Sequence, residues 1–138
     1  MKVYLSCYIE GVAGIGEWSE TNHLKNDRWL DYFAQQMTRE TAAACEGAID
    51  AGAKDILVKD AHDSGRNITP SALPKLARLH RGWAGPAMMA EGLDASFTAL
   101  GCVGFHSPAG SGANPLSHTM YTNMDEVTLN GERCSEFT

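Results

Sequence analysis

Two short β-forming runs separated by a long helical repeat constrain this chain more than any other feature. Residues Lys2 to Ile9 alternate, with Val3, Leu5, Cys7 and Ile9 on one face and Tyr4, Ser6, Tyr8 and Glu10 on the other, which is the two-residue period of a strand. Trp29, Leu30, Phe33, Met37, Thr41, Ala44, Cys45, Ala48 and Ile49 then recur every three or four residues, which predicts a helix with one buried face. Asn26 or Asp27 is placed to cap its start, and Gly52 stands where a stop is expected. The run DILVKD, Asp55 to Asp60, barely alternates, as in a strand covered on both faces. Strand, helix, strand at this spacing implies a parallel pair joined by a right-handed crossover. The expected class is therefore α/β: three layers, a mostly parallel sheet with helices on both faces.

Further along, the polar loop AHDSGRNITP leads to a proline-bounded segment near Leu73 to Leu76 and a weak strand at Ala77 to His80. Met88 to Ala99 has room for another helix despite Gly92, and Ala99 to Phe105 reads as a buried strand. The glycine-rich loop SPAGSGANP precedes a tail in which a strand, an Asn130-Gly131 turn and the start of another element are expected. The chain of 138 residues, 43% hydrophobic, suits one domain spanning 1–138. It stops on Thr138 without a terminating signal, which favours a fragment or truncated product.

A net charge of -6 without a basic run argues against a nucleic-acid partner. Glu10 breaks the first apolar stretch too early for a signal peptide or a membrane span, so a cytoplasmic location is expected. Cys7, Cys45, Cys102 and Cys134 lie far apart with no C-x-x-C pair, so reduced thiols are expected.

Chemistry-bearing residues fall at strand ends. Glu10 follows the first strand, Asp60 and His62 the second, and His106 the strand Ala99 to Phe105. Carboxyl ends of parallel strands share one rim, so these residues are expected to converge there. Imidazoles with a carboxylate suit zinc first, manganese or iron second, and catalytic zinc commonly has three protein ligands and an open position. Taken singly, His62 and His106 also fit hydrogen-bonded loop residues, and Glu10 fits a turn cap. Asp60 is expected to orient an imidazole and not to ligate directly. His118, in LSHTM, fits an acid or base, an oxyanion donor or a surface histidine. A nucleotide site is disfavoured. Gly11, Gly14 and Gly16 give G-x-x-G-x-G instead of G-x-G-x-x-G, and SPAGSGANP lacks the Lys-Ser or Lys-Thr ending of a P-loop.

The blocks MKVYLSCYIEGVAG, KDAHDS, AEGLD, GFHSPAG, LSHTM and NGERCSE, in this order and spacing, resemble the zinc-dependent D-aminopeptidases of the DppA type. The resemblance runs nearly end to end. It implies one or two zinc ions on Glu10, His62, His106 and Glu136, a catalytic role for His118, release of N-terminal D-amino acids from short peptides, and a ring-shaped homo-oligomer. It also implies a longer fold of two domains, of which this chain would be the N-terminal half. One departure stands out: Tyr8 occupies the place of an Asp that, in such enzymes, is expected to bridge two metals. A neutral phenol, with a reference pKa of about 10, is a poor substitute, so the second metal should be weakened or lost. A non-catalytic peptide- or metal-binding relative is the rival reading.

Overall fold

The computed structural model describes residues 1–21, 28–112 and 115–138. The proposed cap residues Asn26 and Asp27, and the side chains of Trp29 and Leu30, lie outside the described residues. Strand β1 (Lys2–Cys7), helix α1 (Arg28–Asp50), β2 (Asp55–Asp60), β3 (Ala77–His80) and β4 (Ala99–Val103) follow in order, and a two-stranded ribbon, β5 (Thr128–Leu129) and β6 (Glu132–Arg133), closes the chain. The main sheet has the order β3-β2-β1-β4 with every pairing parallel. The α/β class read from the sequence is the observed one.

Alternation along β1 decides what each face meets. Val3, Leu5, Cys7 and Ile9 join Ile56 and Val58 of β2 against Phe33, Met37 and Cys45 of α1, forming the apolar core. The helix ends where the sequence places its stop. Gly52 has φ +92, its N–H reaches Ile49 O at 2.9 Å and the Ala53 N–H reaches Ala48 O at 2.9 Å, the paired bonds of a Schellman motif.

The opposite face is covered differently from expectation. Met88 to Ala99 does not form an α-helix; a single 3-10 turn, Met88–Ala90, gives way to turns. The carbonyls a helix would use internally are taken by the sheet: the Tyr4 hydroxyl donates to Glu91 O at 2.9 Å and Ser6 Oγ to Met89 O at 3.0 Å. Gly92 has φ +84, and a Cβ there would meet Leu57 Cδ2 at 3.0 Å. Among the described residues α1 is the one α-helix, so the second covering layer is mostly coil.

The strand expected over Ala99 to Phe105 stops at Val103, and the Leu73–Leu76 segment is preceded by a 3-10 turn at Pro70–Ala72. The tail forms the expected hairpin, Asn130 (φ +53) and Gly131 (φ +87) supplying the two left-handed residues of its turn. All four cysteines are free thiols, with Cys102 exposed and the other three buried. No helix among the described residues is long and apolar enough to cross a membrane.

Candidate metal centre

From β1 the chain moves to β2 and β3 on one side, then returns to place β4 on the other side of β1. This reversal is the switch point at which open parallel sheets form a crevice. Cys7 pairs with both Asp60 and Val103, so three strands end at one level. Glu10, His62 and His106 lie just beyond those ends.

The extensions of β1 and β4 stay in contact past the sheet. Tyr8 N–H donates to Val103 O and Gly11 N–H to Gly104 O, each at 2.8 Å. A Cβ on Gly11 would stand 2.1 Å from Phe105 O, and one on Gly104 (φ +64) 2.1 Å from Tyr8 O. Only glycine permits this approach, which brings Glu10 beside the His106 segment. His118 arrives from the following loop, its N–H on Ser107 O at 3.2 Å, and Glu136 from the tail, where Oε1 accepts from Met120 N at 3.1 Å.

Five side chains meet here. His62 Nδ1 lies 2.9 Å from Glu10 Oε1, and its Nε2 lies 2.9 Å from Thr21 O. His106 Nε2 and His118 Nε2 lie 3.2 and 3.5 Å from Glu136 Oε1, and His118 Nε2 is 4.0 Å from Glu10 Oε1. The His106 and His118 rings stack with centroids 3.8 Å apart. Their Nδ1 atoms face carbonyl oxygens, Ser107 O at 3.1 Å and Leu116 O at 2.8 Å. A carbonyl only accepts, so each Nδ1 carries a proton and Nε2 is the nitrogen turned toward the centre, where a neutral ring offers a lone pair. The Tyr8 hydroxyl donates to Glu136 Oε2 at 2.8 Å.

The charges are strongly coupled. Burial opposes the ionisation of Glu10, but the hydrogen bond and charge of His62 outweigh it and hold the carboxyl below its ordinary value. Burial likewise disfavours the His62 imidazolium, yet Glu10 raises its pKa. His106 is raised against burial chiefly by Glu136, and Glu136 is lowered against burial by His106 and Tyr8. Burial above all, then the charge of Glu136, pushes the Tyr8 phenol far above its usual range, so it stays neutral.

The residues singled out as ligands, Glu10, His62, His106 and Glu136, thus share one rim with His118 and Tyr8. Asp60 does not join them. Its side chain projects toward α1, where its carboxylate accepts from Asn67 N at 2.6 Å, Asn67 Nδ2 at 2.9 Å and Ile68 N at 2.8 Å. The expected contact between Asp60 and the His62 ring is therefore not made; Asn67 Nδ2 links Asp60 only to the His62 backbone carbonyl. Strand alternation would put Asp60 and His62 on one face, but β2 ends at Asp60 and the chain turns there, with His62 O accepting from Gly65 N at 2.8 Å.

Sequence reasoning passed over Thr21, Leu116 and Met120, which act through backbone atoms. One signal of this kind is conformational: Asp63, Leu116 and Met120 all have positive φ (+45, +57 and +60) and all border the centre. Left-handed backbone at non-glycine residues carries strain that concentrates at functional sites. The centre opens into a cavity of about 470 Å³, walled by Trp18 and Trp83.

Three buried side-chain atoms lack hydrogen-bond partners among the described residues, Thr41 Oγ1 on α1 and, at the centre, Glu10 Oε2 and His106 Nε2; the last is near Glu136 but out of line for a hydrogen bond. Orphaned acceptors of this kind are costly unless something positive meets them. Donor atoms of His106, His118 and Glu136 lie within 4.8 Å of one another, close enough for one ion. Imidazole nitrogen and carboxylate oxygen are the donors that zinc accepts, so the residues present fit that cation.

A family model described as D-aminopeptidase matches residues 1–138. A curated D-aminopeptidase of Bacillus subtilis (strain 168) is 29% identical over 136 residues, which is 99% of this chain and 48% of that protein. The solved structure of the Zn-dependent D-aminopeptidase DppA from Bacillus subtilis, described as a self-compartmentalizing protease, superposes with a TM-score of 0.89 at 29% identity, again over 99% of this chain and 48% of that one. The chain spans about half the length of the relatives it matches. With a metal-ready rim at the switch point and a family match along its whole length, this chain belongs to the D-aminopeptidase family.

Proposed function

We propose that residues 1–138 form a metal-binding α/β unit of a zinc-dependent peptidase that removes N-terminal D-amino acids from short peptides. The observation that carries this reading is the meeting of three imidazoles and two carboxylates on one buried rim, with two acceptor atoms there left without partners among the described residues. A bound zinc would supply a Lewis acid for the peptide carbonyl and a water of lowered pKa. Glu10, His62, His106 and Glu136 line the rim on which the ion would sit, and the cavity of about 470 Å³ beside them falls in the range of small-molecule sites, roughly 300 to 1,000 Å³. His118 either moves a proton for the substrate or helps to hold the ion. One nitrogen cannot do both at once, and its Nδ1 is committed to Leu116 O.

The relatives' names supply the D-configuration and the zinc, and the description of DppA as self-compartmentalizing supports a homo-oligomer. A cytoplasmic peptidase acting on short peptides, without nucleic acid or membrane as partner, completes the proposal. The test is hydrolysis of D-Ala-containing dipeptides and their L-counterparts by zinc-loaded protein. Release of D-Ala that a chelator abolishes and zinc restores is the expected result; no release with zinc bound would remove the peptidase assignment.

Tyr8 favours a second reading, a relative that binds metal or peptide without turnover. Its phenol holds Glu136 Oε2 where a bridging carboxylate is expected from the resemblance. Peptide binding with zinc present and no cleavage would select it.

A further inference from the structure

The rim is not symmetric, and its asymmetry divides the labour among the five side chains. On one side Glu10 Oε1 and His62 hold each other, while Glu10 Oε2 has no partner among the described residues. His62 Nε2 faces a carbonyl, Thr21 O, so Nε2 must donate, and its remaining nitrogen lies 2.9 Å from Glu10 Oε1. On the other side two imidazoles converge on one carboxylate oxygen. His106 and His118 are held by backbone carbonyls so that both Nε2 lone pairs face Glu136 Oε1, at 3.2 and 3.5 Å. Among the described residues no hydrogen bond satisfies His106 Nε2.

Tyr8 stands between the two sides. Its ring centroid lies 6.2 Å from that of His62 and 5.4 Å from that of His106, and Phe105 and Phe137 pack on it edgewise at 5.4 and 5.2 Å. Its hydroxyl donates to Glu136 Oε2, so Oε1, which accepts from Met120 N at 3.1 Å, is the oxygen turned toward the two imidazoles.

We infer that this chain holds a single divalent cation on His106 Nε2, His118 Nε2 and Glu136 Oε1, with Glu10 and His62 remaining paired beside it and Tyr8 standing in the place of a second ion. His118 is then a ligand and not a proton carrier. Three protein ligands leave one position open toward the cavity, the arrangement of a catalytic zinc site. The inference rests on the reading of the rim as a cation site and is independent of peptide cleavage.

The test counts and places metal in the full chain, with zinc or cobalt alone as the probe. Wild type should bind one zinc per chain by elemental analysis after dialysis. His118→Gln should lose more affinity in calorimetric titration than the roughly 10–100-fold typical when a ligand-orienting partner is removed. His62→Gln should leave both stoichiometry and affinity near wild type. His118→Cys, loaded with cobalt, should show a thiolate-to-cobalt charge-transfer band absent from wild type, which reports direct ligation in folded protein even if zinc affinity changes. Tyr8→Asp should take up a second ion.

Two zinc ions in wild type, unchanged affinity in His118→Gln, a larger loss in His62→Gln, or a folded His118→Cys protein without the band would each overturn the ligand set. One ion in Tyr8→Asp would overturn the role of Tyr8. Metal bound as described with no peptide cleaved would sink the peptidase assignment and leave this inference standing, and cleavage with two ions bound would do the reverse.

Discussion

Two buried clusters of charge lie within one small sheet, and they are resolved in opposite ways. Under the face away from α1, Lys59 is fully buried. Its ammonium donates to Gly82 O, sits 4.0 Å from the Trp83 ring centroid and lies 3.5 Å from Glu91 Oε2. Glu91 in turn accepts the N–H groups of Ala84 and Gly85 and has His80 Nε2 at 3.5 Å. One cation meets one anion, and donors cover the remaining lone pairs. Burial pulls the Lys59 pKa down, while the charge of Glu91 works to keep it protonated. At the rim, two carboxylates and three imidazoles share a pocket and two acceptor atoms find no partner among the described residues. The first cluster is complete without help and holds the loop that carries Trp83; the second keeps acceptors that a cation can meet. Buried charge by itself is not a sign of function, whereas buried charge with unmatched acceptors is.

Substitutions that touch one cluster and spare the other test this contrast. Lys59→Met should cause the largest loss of thermal stability, because it leaves Glu91 buried without its cation, yet zinc stoichiometry should not change. A melting curve and a metal assay on the same sample check both halves; zinc lost together with stability would mean that the clusters are coupled.

Zinc should stabilise the wild-type fold. At a free concentration about 100-fold above Kd the gain is about 2.7 kcal/mol, and a chelator should remove it while leaving a folded protein. Thermal melts with zinc and with EDTA measure it, and an unchanged melting temperature would contradict a cation-completed rim.

Asp60→Asn comes next. It turns an acceptor of two backbone N–H groups into a partial donor, for a cost of about 1–3 kcal/mol. Because Asp60 does not touch the His62 ring, zinc affinity should stay near wild type, while a 10-fold or greater loss would restore the orienting role expected from sequence.

The smallest effect is the pH dependence of the metal-free protein. Glu10 is lowered from 4.5, so its contribution is present above that value and disappears as pH falls through the folded pKa. His62 is raised from 6.5, so its contribution is present below that value and disappears as pH rises through the folded pKa. Chemical denaturation across pH should therefore show a plateau between about 4.5 and 6.5, to which the His106–Glu136 pair contributes with the same signs, and His62→Gln should shrink the fall on its alkaline side. With zinc in excess the alkaline limb should reverse, because protons compete with metal for the imidazoles.

Much of the scaffold was legible in the residues. The alternation of β1, the helical period from Phe33 to Ile49, the stop at Gly52 and the hairpin at Asn130-Gly131 are local signals, and each appears where local physics puts it. Met88 to Ala99 was misread because its helix competed with a distant demand: Tyr4 and Ser6 claim carbonyls of Met89 and Glu91 across the sheet. No local pattern carries that information.

The candidate site divides along the same line. Residue type and position after a strand were enough to nominate Glu10, His62 and His106, because parallel strands must end on one rim. Pairing was decided only in three dimensions, by the approach of Gly11 to Phe105, the carbonyls of Ser107 and Leu116 that aim two imidazoles, and the phenol of Tyr8 lodged against Glu136. Sequence determines which groups can reach a rim, since strand period and order are short-range properties. Which nitrogen keeps a free lone pair depends on backbone atoms brought in from elsewhere in the chain, and only the tertiary structure supplies them.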